Sequence, residues 1–251
     1  MNFKGKTAIA TGAASGMALL FLQKMAAAGA NVVLTDVNQD AVEAAAEEIR
    51  SRGGNAIGVA VDVRNYSQIE HAVNLATEKF GGVDFLMNSA GGAASRIWSQ
   101  PHFGTASIES IEWCIDVNLK GAVLFSRAVL KQMCERRSGV IINMSSVSSK
   151  FALPGQSVYS ATKGAVNSMT QTMAKELAGY GIRVNAVAPG FIETEMLDAI
   201  PEEKKKEYLD AIPMHKLGKA EDVANVVSSL CSDAFSYVTG QVIVLDGGLS
   251  L

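Results

Sequence analysis

The chain reads as an α/β protein: one doubly wound, seven-stranded parallel sheet with helices on both faces. Three observations carry that expectation. Short β-branched runs alternate with helical stretches along the whole chain. The runs lack the polar/apolar alternation of a sheet with one wet face, so their strands are expected to be covered on both sides. Repeated β-α order then forces parallel pairing, because right-handed crossovers lay helices above and below the sheet.

The strand-like runs are residues 7–10, 31–35, 56–61, 83–87, 140–144, 183–188 and 242–245. Between the first three lie helical stretches at 19–28 and 40–50, the second rich in Ala and Glu. Gly29 and Gly53-Gly54 follow them as C-terminal caps, where a left-handed backbone ends a helix. Two long stretches, 91–105 and 190–215, read as irregular. Both follow strand C-termini, the edge where open α/β sheets bind ligands. Within the second, Glu202-Glu203-Lys204-Lys205-Lys206-Glu207 mixes signs at helical spacing and reads as a solvated helix face. No Pro/Gly/Ser-rich linker interrupts the pattern, so residues 1–251 are expected to form one domain.

Composition narrows the function. A chain of 251 residues with 48% hydrophobic and 19% charged side chains can bury a sizeable core. Its net charge of −3 and the lack of a basic stripe argue against a nucleic-acid partner. Cys114, Cys134 and Cys231 form no disulfide framework and no CxxC, which suits a reducing compartment and inert thiols. His71, His102 and His215 are scattered, so no metal site is expected. With no signal-peptide core and no apolar stretch of membrane length, the expected location is the cytoplasm, without a membrane partner.

The chemistry sits in two places. Near the N-terminus the first strand runs into Thr11-Gly12-Ala13-Ala14-Ser15-Gly16. Glycines there let the backbone approach a pyrophosphate, and the helix that follows offers unpaired N–H groups. Asp36 ends the second strand twenty residues after Gly16. A carboxylate at that place accepts hydrogen bonds from ribose 2′- and 3′-hydroxyls and repels a 2′-phosphate. No Arg or Lys occupies 13–17, which points to NAD(H) rather than NADP(H). The alternative for Asp36 and Asp40 is a helix N-cap role.

The second place is Tyr159-Ser160-Ala161-Thr162-Lys163. A phenol ordinarily titrates near 10, too high for an efficient base at neutral pH. A lysine one helical turn away favours the phenolate, and i,i+4 spacing puts both side chains on one face. Ser146, just after the run 140–144, ends a strand at the same sheet edge and could hold a substrate oxygen. A dinucleotide turn and a proton-transfer pair in one chain suggest hydride transfer between nicotinamide and a secondary alcohol or ketone.

These residues resemble the short-chain dehydrogenase/reductase family, of the compact single-domain Rossmann type, over residues 6–248. The family's TGxxxGxG is similar to Thr11-Gly12-Ala13-Ala14-Ser15-Gly16-Met17-Ala18, with Ala18 in place of the third glycine. The resemblance implies that Gly12, Ser15, Gly16 and Met17 hold the cofactor, and that Asp62-Val63 lies beside adenine. It implies a cofactor-binding turn at Asn88-Ser89-Ala90-Gly91, where Ser89 replaces the family's second Asn. It further implies a tetrad of Asn118, Ser146, Tyr159 and Lys163. Asn118 would place a water in the proton relay, and Lys163 would also bind the nicotinamide ribose. Pro189, Gly190, Ile192 and Thr194 would contact the carboxamide.

The segment Pro189-Gly190-Phe191-Ile192-Glu193-Thr194-Glu195-Met196 is similar to 3-oxoacyl-[acyl-carrier-protein] reductases of fatty-acid synthesis. That subgroup ordinarily prefers NADPH, whereas Asp36 argues for NADH. Of its two basic carrier-docking positions, Arg137 matches one and Tyr180 stands at the other. The stretch 92–117 is longer than in the typical reductase and carries Arg96, Trp98, His102 and Phe103, which would line a pocket for a ring-bearing substrate or pack at the surface. The expectation is therefore an NAD-dependent oxidoreductase for a small-molecule alcohol or ketone such as a steroid, sugar or polyol. The alternatives are the carrier-protein reductase and a non-catalytic NAD-binding regulatory protein. The family also implies a homotetramer packed through the fourth and fifth helices and the C-terminal strand.

Overall fold

The computed structural model describes residues 1–93, 103–193 and 202–251. Seven strands lie in one sheet in the order β3-β2-β1-β4-β5-β6-β7, every pair parallel. They are β1 Thr7–Thr11, β2 Asn31–Asp36, β3 Asn55–Ala60, β4 Phe85–Asn88, β5 Gly139–Met144, β6 Ile182–Pro189 and β7 Val242–Leu245. All seven match the sequence runs to within one or two residues at most ends. β3 begins and ends one residue earlier than expected.

Burial on both sheet faces explains why the runs are continuously apolar. Along β1, Ala8 and Ala10 face one layer and Ile9 faces the other; Val32 and Leu34 oppose Val33 in the same way on β2. The first layer is covered by α1 Gly16–Ala27, α2 Gln39–Ser51 and α8 Ala220–Leu230. The second is covered by α3 Tyr66–Phe80, α5 Gly121–Arg136 and α6 Ser157–Leu177. The helices α1 and α2, which step leftward from β1, thus lie on one face, and α5 and α6, which step rightward from β4, lie on the other; α8, between β6 and β7, returns to the first face. The sheet order reverses between β1 and β4, and their C-terminal ends part there.

Local signals set the helix ends. Asn38 caps α2, its side chain accepting from the Ala41 N–H at 3.1 Å. The cap role considered for Asp36 and Asp40 therefore falls to neither. Gly29 and Gly53 follow α1 and α2 with φ of 90° and 85°, as the cap reading required. The stretch 190–215 is not wholly irregular: it contains α7, Glu202–Ala211, built on the mixed charge run, with Lys206 and Glu207 exposed. Alternating charges support a helix that has little apolar face to announce it. At the other long stretch, α4 Ile108–Ile115 passes into α5 through a π-turn at Asp116–Lys120. Among the described residues no helix is long and apolar enough to cross a membrane.

Packing leaves Gly58 no room for a side chain. A Cβ on Gly58 of β3 would stand 2.7 Å from the Val42 carbonyl oxygen on α2. Gly58→Ala is expected to push α2 off the sheet and to cost about 1–3 kcal/mol in urea unfolding. An unchanged midpoint would show that α2 is free to shift.

Candidate active site

The parting of β1 and β4 opens a cleft of about 1220 Å³ at the C-terminal edge of the sheet. Its floor is the turn between β1 and α1. Gly12 and Gly16 both take left-handed backbone, φ 64° and 63°. A Cβ on Gly12 would meet the Ala90 backbone at 3.0 Å, whereas one on Gly16 would project into open space. Gly12 is therefore required by close packing, and Gly16 by conformation beside an open approach.

Ser15 precedes α1 without a side-chain cap bond, and no acidic residue occupies the first turn. The N–H groups there stay available to an anion, reinforced by the helix dipole. These features fit a pyrophosphate. Nearby, Asp36 accepts from Ala14 N–H at 3.3 Å and from Asn38 N–H at 3.2 Å. Its carboxylate thus sits beside the glycine turn.

Of the residues expected to bind cofactor, Gly12, Ser15, Gly16, Met17, Asp36, Asp62, Val63, Ala90 and Gly91 all line this cleft. Thr11 ties its two sides together: its hydroxyl oxygen accepts from the N–H groups of Ser89 and Ala90, both at 2.9 Å. Ser89 therefore leaves that turn well anchored. Asn88 lies below the cleft wall, with its side chain turned inward. It donates to Ser126 Oγ at 3.0 Å and to Asn143 Oδ1 at 2.8 Å, and Asn143 donates to Thr170 Oγ1 at 2.9 Å. Pro189 ends β6 and Gly190 follows it, its N–H donating to Leu245 O at 2.8 Å. Ile192 bridges to Gly218, so this trio sits on the β6–β7 side. Thr194, Arg96, Trp98 and His102 fall outside the described residues; Phe103 is exposed.

The second cluster stands at the end of β5. Lys163 is buried, and its Nζ donates to the Met144 carbonyl at 2.8 Å while lying 5.5 Å from the Tyr159 ring centroid. Burial lowers its pKa to about 8; Cys114 opposes that shift by favouring the charged form. Ser146 is also buried and caps the short turn Val147–Ser149, accepting from Ser148 N–H at 3.2 Å. Ser148 in turn donates to Gln156 Oε1 at 2.9 Å. Ser145 donates to the Lys163 carbonyl at 3.3 Å, and Ser149 to the Ser146 carbonyl at 2.7 Å, so both of these neighbouring hydroxyls are spent on backbone.

Asn118 links the two clusters. It sits in the π-turn, where its amide accepts from Gly92 N–H and donates to Gly92 O, both at 3.0 Å, and donates to Cys114 O at 2.9 Å. A Cβ on Gly91 would lie 2.3 Å from Asn118 Oδ1, so glycine is needed for this approach. Sequence reasoning missed several cleft-lining residues: Arg64, Gln68, Trp113, Val117, Glu193 and Ala220. Val117 sits one position before the motif Asn118, which was a usable signal; Trp113 reaches the cleft only through the packing of α4.

With this geometry in hand, known proteins give a consistent comparison. A family model described as enoyl-(acyl carrier protein) reductase matches residues 12–250. A 3-oxoacyl-[acyl-carrier-protein] reductase, FabG, of Thermotoga maritima is 40% identical over 99% of both chains. Among solved structures, a 3-oxoacyl-[acyl-carrier protein] reductase from Brucella melitensis has a TM-score of 0.91 at 33% identity, covering 100% of this chain and 93% of its own. Another from the same organism, with bound NAD, has a TM-score of 0.89 at 34% identity, covering 99% of this chain and 92% of its own.

The buried lysine yields a pH-dependent prediction. Its ammonium titrates at about 8 when folded, against 10.5 for a lysine in water. Between those values the unfolded chain holds the extra proton, so the stability contribution at this site rises with pH across that window. Lys163→Met removes the titration. Thermal midpoints measured from pH 8 to 10 should show the parent gaining on this variant, and a constant difference would contradict the assignment.

Proposed function

This chain belongs to the short-chain dehydrogenase/reductase family and is an oxidoreductase acting on ketone or alcohol groups, and on that premise we propose that it reduces a 3-oxoacyl thioester with NADH. The observation that carries the reading is the burial of Lys163 beside Tyr159 at the end of β5. The names borne by the similar reductases support the substrate class, and the site of Asp36 at the glycine turn supports NAD(H).

Bound nicotinamide supplies or accepts hydride at its C4. Ser146 holds the carbonyl oxygen by donating its hydroxyl proton. Tyr159 delivers a proton to that oxygen as the alcohol forms and recovers it in the reverse direction. The Lys163 ammonium favours the phenolate left behind. Asn118 acts by position: its amide holds Gly92 and the π-turn against the cluster. Gly12, Ser15, Gly16 and Met17 receive the pyrophosphate, with Asp62, Val63, Ala90 and Gly91 along the adenosine and ribose side and Asn88 supporting that wall from below. Pro189, Gly190 and Ile192 form the carboxamide side.

A second reading, an alcohol dehydrogenase for a ring-bearing substrate, is favoured by one observation. Arg137, at a carrier-docking position, is engaged within this chain. Its guanidinium lies 5.9 Å from the Tyr180 ring centroid and donates to the Gly179 carbonyl. Half-exposed apolar side chains at Ile115, Val123 and Val244 fit a homotetramer formed through α4, α5 and β7.

Acyl thioesters assayed against steroid, sugar and polyol substrates, by NADH absorbance, should give the thioester as the fastest; preference for a ring-bearing alcohol would favour the second reading. Tyr159→Phe should keep NADH binding and lose at least about 100-fold in turnover. Near-parental turnover would remove its assigned role. Asp36→Ala should shift the NADH/NADPH preference toward NADPH by about tenfold or more, read from the two kcat/KM values; an unchanged ratio would leave Asp36 out of cofactor choice.

A further inference from the structure

Arg64 belongs to none of the motifs, yet it forms part of the cleft wall beside Asp62 and near Asp36 and Val37. Its guanidinium is held firmly. Nε donates to both Asp62 carboxylate oxygens, at 2.9 and 3.0 Å, and Nη2 donates to Oδ2 at 2.6 Å. The Arg64 backbone N–H adds a fourth bond, to Oδ1 at 2.9 Å. The carboxylate is in turn kept ionised, its pKa lowered chiefly by the Arg64 hydrogen bonds.

Two consequences follow from this clamp. The planar fork is fixed in orientation before any ligand arrives, so little side-chain freedom is lost on binding. Its charge is also matched by Asp62, which makes it a poor seat for a free phosphate and a good one for a neutral aromatic ring. Beside it in the lining stand the aliphatic side chains of Val37, Val61 and Val63, with Gln68 held to the Asp62 N–H at 2.8 Å. The valines offer apolar contact but no flat face. A purine has two flat faces and a polar edge, and Arg64 provides the one planar cation beside these valines among the described residues.

We propose that Arg64, clamped on Asp62, is the base-recognition residue of this cleft, stacking its guanidinium plane on the adenine of the dinucleotide. The proposal rests on the dinucleotide reading given above and deepens it. Binding is measured by calorimetry on the intact protein with three probes: NADH, AMP and reduced nicotinamide mononucleotide, which lacks the adenine. Arg64→Ala should weaken NADH and AMP roughly 3- to 30-fold and leave the mononucleotide unchanged. Arg64→Lys keeps the charge but not the plane, and should lose nearly as much.

AMP bound as tightly by Arg64→Ala as by the parent would overturn the proposal. Full affinity in Arg64→Lys would overturn it too, since charge alone would then suffice. Equal weakening of AMP and the mononucleotide would mark a general distortion and would also count against it. A parent protein that binds none of the three would instead sink the dinucleotide reading itself.

Discussion

Handedness is the constraint from which the rest proceeds. A parallel strand pair needs a long crossover, and the crossover is right-handed. Stepping outward in two directions therefore puts α1 and α2 on one face of the sheet and α5 and α6 on the other. At β1 and β4 the two sets of connections leave in opposite senses, so nothing covers the strand ends there. The cleft is what this geometry leaves open, and most of the groups that line it arrive at the end of a strand or the start of a helix.

Within that frame the buried ammonium of Lys163 is the most demanding feature. A charge removed from water is costly, and here one backbone carbonyl, from Met144, is the bonded partner. A carboxylate partner would hold the charge better but would also quench its field. A neutral carbonyl leaves the positive potential available to the adjacent phenol. Stability is thereby given up at the place where the proposed proton transfer would use an uncompensated charge.

Much of this was legible in the residues. Strand positions were visible because burial on both faces removes polar positions, and the glycine turn was visible because left-handed backbone admits few other residues. The proton-transfer pair was visible because helical spacing puts Tyr159 and Lys163 on one face. Helix α7 was partly hidden because charges, not an apolar stripe, mark it. Trp113 was hidden because its direction depends on tertiary packing, and Arg64 because its orientation comes from a pairing with Asp62 two residues away, which no helix or strand period reports. The inward turn of Asn88 was equally invisible, since its partners Ser126 and Asn143 are 38 and 55 residues away.

The pair of hydrogen bonds between Asn118 and Gly92 separates two properties that enzymes often cannot vary independently. Both polar atoms of that amide engage main-chain groups, so the anchor is indifferent to the side chains that come after it. Insertions and substitutions beyond Gly92 can accumulate while Asn118 and the π-turn keep their positions. A lineage built this way can change what it accepts without relearning how to react.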